Sequence, residues 1–578
     1  MTRTDSFVVG TLVVLLALIA GLVSAPSLFP ATATVATPQP TPGPVAVRPY
    51  REGVLGHPVS VSPLSAKTQA DRDLVALVFS GLVRNGPNGT LVPDLAEHWS
   101  VDPTGTKWTF QLRDDAFWHD GEPVTSDDVA YTIRVLQDKA YTGPAARSWN
   151  EVTVQTEGPR MITFTLATPL GGFLQLATQP IAPEHLLASV PISELPEAPF
   201  GRQPIGSGPF AVASLDDGHA ELIPAATMLQ AEAPTAAPTA GSTDSLATPV
   251  ATARPTRPVP YLSGMDFTFY DDPDTLADAF RAGGLDAASG LTPAVNRDLA
   301  RDPGTRSLNY PGATMTAVLL NLRPGHPEFA NPAVRTALLQ AIDRVQLASD
   351  AFAAGAAVSS GPIPPSSAMF DPVADPPVAF DPTAAENALK AAGWVKAADG
   401  WRLPKVKAPL AIELVSPDQA SNPPAFAAAE AVTRDWTSLG LRVTHVALPP
   451  GDFVTGRLAT GKFQVAVGDV TVGLDPDLYP LLASSQTVTG GSNVIGLQDP
   501  ALDKLLAAAR GPGSDVQRKA AYSALQVALA KGRYVLPLAF ADESIVVRDT
   551  LEGPTVRQVA DPADRFWDVL TWRLAAGR

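Results

Sequence analysis

Apolar residues at Trp108, Phe110 and Leu112 alternate with Thr109 and Gln111, and this period of two predicts a strand with one buried face. Turns bracket it. Asp102-Pro103-Thr104-Gly105 has Pro at the second turn position and Gly at the fourth, and Asp120-Gly121 turns the chain again. Val129, Ile133 and Leu136 then recur at helical spacing, behind the N-cap candidates Thr125 and Ser126; Asp128 stands at capping-box distance from Thr125. The same reading predicts strands over 161–170, 265–270 and 316–322 and a helix over 274–282. Asn331-Pro332 starts a helix whose apolar face is Val334, Leu338, Ala341, Ile342 and Val345. From Pro409 the pattern runs strand (410–415), helix (425–439), strand (441–448), helix (453–459), strand (463–467). That series predicts a doubly wound sheet, on which ligands bind near the carboxyl ends of strands, here at a loop beginning at Gly468. Helices over 502–508 and 516–530 and a strand over 534–538 complete the pattern.

Two stretches break this periodicity. Phe7 to Val23 is an almost unbroken apolar run preceded by Arg3, so residues 1–25 read as a transmembrane anchor or a signal peptide. Val23-Ser24-Ala25 offers a small-residue cleavage site, while Pro26 disfavours cleavage; both readings export the rest of the chain. Residues 26–47 are a Pro/Thr/Ala-rich linker. Pro224 to Pro258 carries no aromatic residue, and a disordered insertion is expected over about 224–260.

Composition then removes several functions. A chain of 578 residues calls for more than one lobe, and a net charge of −16 lacks the basic footprint of nucleic-acid binding. Cysteine is absent, which excludes disulfides, thiolate catalysis, Cys-ligated metals and a lipid-modified N-terminal Cys. The seven histidines are scattered, and His119 reads as structural. Asp271, Asp272 and Asp274 lie at a helix N-terminus, where carboxylates cap amides, so they read as capping rather than metal-binding. Gly206-Ser207-Gly208 lacks the spacing of a nucleophile elbow. The expectation is a non-enzyme without cofactor or metal.

Three ordered motifs, Leu91–Trp99, Trp108–Arg113 and Phe117–Val129, together resemble the signature of family 5 extracellular solute-binding proteins, the peptide- and nickel-binding receptors of ABC importers. Gln203–Phe210, the helix NPAVRTALLQAIDR and the stretch 384–394 resemble further family elements. The resemblance implies an α/β, two-lobed periplasmic-binding-protein-like fold of type II, with an extra subdomain in lobe one and a hinge cleft. Lobe one would comprise 48–314, lobe two 315–537, and 538–578 would return to lobe one. The function implied is an extracytoplasmic receptor that passes a peptide, or a similar amphipathic solute, to an ABC permease without chemistry. It would be a monomer, held at the membrane by its N-terminal segment or exported after signal cleavage. A membrane-tethered sensor or scaffold is the alternative, and a secreted hydrolase ranks below both.

The resemblance also marks site candidates. Asp475-Pro476-Asp477 matches a cleft loop, but the Trp that precedes it in peptide-binding relatives is missing. Asp469 is then a candidate to pair with a ligand amine, or else caps the loop; Thr471 and Asp475 lie in the same stretch. Asn493 corresponds to another cleft-proximal element, and Tyr310, Met315 and Phe370 are candidate pocket walls or core.

Overall fold

The computed structural model describes residues 48–232 and 258–575, apart from 144, 147, 151, 353, 354, 489 and 490. The expected anchor or signal, the linker, and residues 233–257 of the expected insertion lie outside the described residues.

A single eleven-stranded sheet runs through both lobes. In lobe one, β1 (Tyr50–Leu55) leads to α1 (Gln69–Val78), whose N-cap Thr68 forms a capping box with Asp71. A separate antiparallel sheet follows, built from β2 (Ala96–Val101), β3 (Lys107–Leu112), β4 (Val152–Thr156) and β5 (Met161–Leu166) in the order β2-β3-β5-β4. Helix α2 (Ser126–Gln137) enters it with Asp128 accepting the Thr125 N–H at 2.8 Å, and Val129, Ile133 and Leu136 are buried. This is the extra subdomain; the sequence pattern predicts its β3, β5 and α2, while β2 and β4 go unpredicted. Phe110, Phe164 and Phe173 pack ring against ring beneath it.

The chain returns to the main sheet as β6 (Phe210–Leu215) and β7 (His219–Pro224). The segment expected to be disordered from residue 224 begins instead with a helix, α3 (Ala225–Glu232), since its Ala, Leu, Met and Gln residues favour a helix locally. Next come β8 (Met265–Tyr270), α4 (Pro273–Arg281) and β9 (Ala287–Ser289), with β1 parallel to both β8 and β9. Asp272 caps α4 by accepting the Thr275 N–H at 2.8 Å, as expected of a helix-terminal carboxylate.

The long strand β10 (Thr305–Leu320) then crosses into lobe two. It is far longer than the 316–322 stretch its pattern predicts, because Tyr310-Pro311-Gly312 reads locally as a turn while tertiary pairing keeps it extended. In lobe two, α5 (Pro332–Gln340) buries Val334 and Leu338, but it ends before Val345, which sits on a following helix and is 73% exposed. Then β11 (Ala411–Pro417), α6 (Pro423–Ser438), β12 (Arg442–Leu448) and β13 (Val465–Thr471) form the doubly wound unit, with β11 parallel to β12 and β13. Alternation along β10 feeds two cores: Val318 and Leu320 face one, Met315, Ala317 and Leu319 the other. Helices α7 (Pro500–Arg510) and α8 (Asp515–Gly532) follow, and β14 (Val535–Arg548) crosses back.

The C-terminal segment is fixed in lobe one by charge as well as packing. Trp572 meets Tyr50 edge to face at 5.7 Å, and buried Arg565 bonds to Glu52 at 2.8 Å and to both Asp73 oxygens at 2.7 Å. Burial alone would lower the Arg565 pKa, but Asp73 and Glu52 outweigh it and push it well up.

Candidate ligand-binding site

The crossing of β10 and β14 defines the hinge. Thr305–Pro311 pairs with Asp542–Arg548 in lobe one, Met315–Leu319 pairs with Val535–Phe540 in lobe two, and the register shifts between Pro311 and Met315. Gly312 sits at that shift with its Cα against the Ala541 carbonyl, where a Cβ would collide. The C-terminal chain braces the crossing: Val559 donates to Pro311 at 2.9 Å and accepts from Ala313 at 2.8 Å. Ala313 in turn accepts from Val472 at 3.0 Å.

Beside the hinge, lobe two carries a polar ledge. The register sets Thr314 opposite Thr471 and Thr316 opposite Asp469, so all four side chains share one face. Thr314 and Thr471 hydroxyls are 2.9 Å apart, Thr316 donates to Asp469 at 2.5 Å, and Asn422, the N-cap of α6, donates to the other Asp469 oxygen at 2.7 Å. Asp469 and Thr471 are exposed. The loop expected from Gly468 is therefore strand as far as Thr471, held by its ladder to β10, and Asp469 is a strand residue rather than a loop cap.

The other candidates separate from this ledge. Asp475 meets Arg518 at 2.6 and 2.9 Å and lies against Gly172 of lobe one, so it belongs to a seam between lobes. Its neighbour Asp477 pairs with Arg510 at 3.0 Å, and burial raises the Asp477 pKa. Asn493 is buried and saturated: it donates to Ala483 and Leu497 carbonyls and accepts from the Leu497 N–H. Met315 is core, and Tyr310 is fully buried at the hinge. Phe370 is partly buried against the core that holds Met315. These four are packing residues, because the apolar and amide groups that make them resemble pocket walls also satisfy an interior. His119 is structural: Nδ1 accepts from Gly206 N–H at 3.2 Å, which leaves Nε2 to donate to the Gly208 carbonyl at 3.0 Å. Among the described residues no cluster of three or more His, Cys, Asp or Glu is placed to hold a metal ion.

A cavity of about 680 Å³ lies in lobe one, walled by α1, the turns at 145–149 and 175–180, α3, and the C-terminal segment 561–570. Arg72 and Asp561 form an ion pair of 2.7 Å on its lining. Sequence reading missed this cavity. Its one local signal is the spacing of Arg72, Val75, Ala76 and Phe79 along one face of α1.

Residues 90–492 match the family described as bacterial extracellular solute-binding proteins, family 5 Middle. The chain belongs to this family. Family 5 proteins act outside the cytoplasm, and no helix among the described residues is long and apolar enough to cross a membrane. The chain is 27% identical over 519 residues to Protein XP55 of Streptomyces lividans, covering 87% of this chain and 86% of that one. It is 23% identical over 511 residues to a dipeptide-binding protein of Pseudomonas aeruginosa (84% and 88% covered). A similar solved structure is the oligopeptide-binding protein AppA from Bacillus subtilis in complex with a nonapeptide. It has TM-score 0.68 and 20% identity, with 92% of this chain and 100% of that one covered. NikZ from Campylobacter jejuni in complex with Ni(L-His) is similar at TM-score 0.66 and 23% identity, over 91% and 99%. These likenesses show the two-lobed fold of family 5 binding proteins.

Proposed function

We propose that the chain is the solute receptor of an ABC importer, that it takes a peptide or a similarly amphipathic solute, and that it holds this ligand at the hinge between the lobes without a chemical step. Family membership and the two crossing strands support the receptor reading, since a pair of crossovers lets lobes close on a ligand and shift between open and closed populations. Peptide-binding relatives support the ligand class. Phe7 to Val23 would either hold the monomeric receptor at the membrane beside its permease or export it as a cleaved signal.

The observation that carries the ligand reading is Asp469. Its two hydrogen-bond donors, Thr316 and Asn422, are neutral, so among the described residues its carboxylate is positioned but has no ion pair. An exposed, fixed anion at the carboxyl edge of lobe two suits a ligand ammonium group. Calorimetry with free and N-acetylated peptides tests this. Free peptides should bind, while N-acetylation or Asp469→Asn should each weaken binding at least tenfold without lowering the melting temperature. Equal affinity for both peptide forms would remove Asp469 from the site; binding of a nickel complex with no peptide would remove the ligand class.

A further inference from the structure

Two carboxylates stand side by side on β14 where it passes the hinge. The register sets Asp542 opposite Pro311 and Glu543 opposite Tyr310, at the lobe-one end of the crossing. Successive strand residues point to opposite faces, so the two acids turn apart. Asp542 lies against Gly355 of lobe two, whose carbonyl accepts its N–H at 2.8 Å. Glu543 faces α1 and the C-terminal segment and is half-buried there.

The charged groups around Glu543 are Asp73 and Arg72 of α1 and Asp561 and Arg565 of the C-terminal segment, with Tyr310 as its cross-strand neighbour on β10. Arg565 is engaged by Glu52 and Asp73, at 2.8 and 2.7 Å, and Arg72 by Asp561 at 2.7 Å. Two guanidiniums therefore serve four carboxylates, and among the described residues Glu543 has neither an ion pair nor a hydrogen bond. Burial raises the Glu543 pKa, Asp561 and Asp73 add to the rise, and Arg565 and Arg72 oppose it. Asp561 ties this cluster to the hinge. It follows two residues after Val559, which donates to Pro311 and accepts from Ala313, on either side of Gly312.

We propose that Glu543 is a proton switch on the hinge: charged, it repels Asp561 and loosens the C-terminal brace; protonated, it lets the brace hold both halves of the crossing. Acid then stiffens the hinge, and a receptor that works outside the cytoplasm meets the pH of its surroundings directly. A carboxyl held above its ordinary value in the folded chain stabilises fully below that value, about 4.3 for glutamate, and the effect is lost as pH rises through the raised one.

Amide hydrogen exchange at Ala313 and Val559 reads the brace, because both N–H groups are donors in it. Protection is measured on the full chain without ligand from about pH 4.5 to pH 8, corrected for the intrinsic rate at each pH. Wild-type protection should fall about threefold or more across that range. Glu543→Gln should keep the acid-end protection throughout. Asp561→Asn, which removes the repelled charge and leaves a residue able to cap the following helix, should flatten the profile as well. Asp542 and Asp564, whose carboxyls burial also holds up, stay in both variants, so the comparison isolates the Glu543–Asp561 pair. A flat wild-type profile would overturn the proposal, as would a variant that follows pH like the wild type or one that is unprotected at every pH. With two variants and a wild-type profile, misfolding of one substitution cannot shield the switch. No ligand enters the measurement, so its failure leaves the peptide reading standing.

Discussion

Asp469 and Asp475 stand six residues apart on lobe two and differ in what surrounds their charge. Asp475 has a guanidinium on both oxygens and the Tyr522 hydroxyl at 3.3 Å, whereas among the described residues Asp469 has neutral donors alone. The first is a structural anion; the second is open to a cation. Asp475→Asn should therefore destabilise the fold by about 1–3 kcal/mol, the range for a charge-assisted bond that leaves its partner short. Urea unfolding checks this, and an unchanged midpoint would refute it. Asn493→Ala should cost about 1–3 kcal/mol for the same reason, since it strands the buried Leu497 N–H and two carbonyls. A third case is pH-dependent. His57 reaches the Asp217 carbonyl at 2.6 Å and Asp271 at 2.7 Å, and these contacts raise its pKa. A raised folded pKa stabilises fully below the unfolded value of about 6.5 and is lost as pH climbs through the folded value. The melting-temperature gap between wild type and His57→Ala should be small, because the ring is solvent-screened, and should close from pH 6 to pH 9. A gap that widens over that range would contradict the assignment.

Glycine placement governs the elements. Gly206 and Gly208 of QPIGSGPF have no positive φ; they are needed because their Cα atoms press on the backbone of Val78 and Phe79. A Cβ on Gly206 would run into the Val78 carbonyl, so Gly206→Ala should shift α1 against β6 and cost about 1–3 kcal/mol, as overpacking does. Thermal unfolding checks this, and a neutral substitution would mean that the two elements yield. The same contrast explains what was legible in the sequence. Alternation at Trp108–Leu112 and the capped stripe after Thr125 are local signals that tertiary structure merely confirms, so β3 and α2 of the subdomain were readable. The crossing strands were readable only at their lobe-two ends, over 316–322 and 534–538. Pro311 and Gly312 carry turn chemistry, and pairing of Pro311 with Asp542 on β14 and of Gly312 with Val559 holds them extended. The site suffers most from this, because Asp469 is read as loop until its ladder to Thr316 is seen, and the cavity gathers segments as distant as Arg72 and Asp561.

At the scale of the whole molecule the lobes touch along a seam of glycines. Gly171 donates to the Arg510 carbonyl at 2.7 Å, Gly172 lies flush against Asp475, and Gly105 faces Pro512. None of these residues lies on the hinge ledge, so we predict that the seam acts on closure rather than on ligand contact. Its contribution enters the ratio of closed to open receptor, and the apparent affinity scales with the closed fraction. Each loss of about 1.4 kcal/mol at the seam weakens binding tenfold. Gly172→Val places a branched side chain against an Asp475 that cannot swing away, because Arg518 grips both of its oxygens. Ligand affinity should fall about 10–100-fold, and X-ray scattering with saturating ligand should give a larger radius of gyration than the wild-type complex. Weaker binding with an unchanged radius would show that Gly172 acts on the site directly. An unchanged affinity would show that the lobes close without the seam, leaving the energy of closure to the ligand itself.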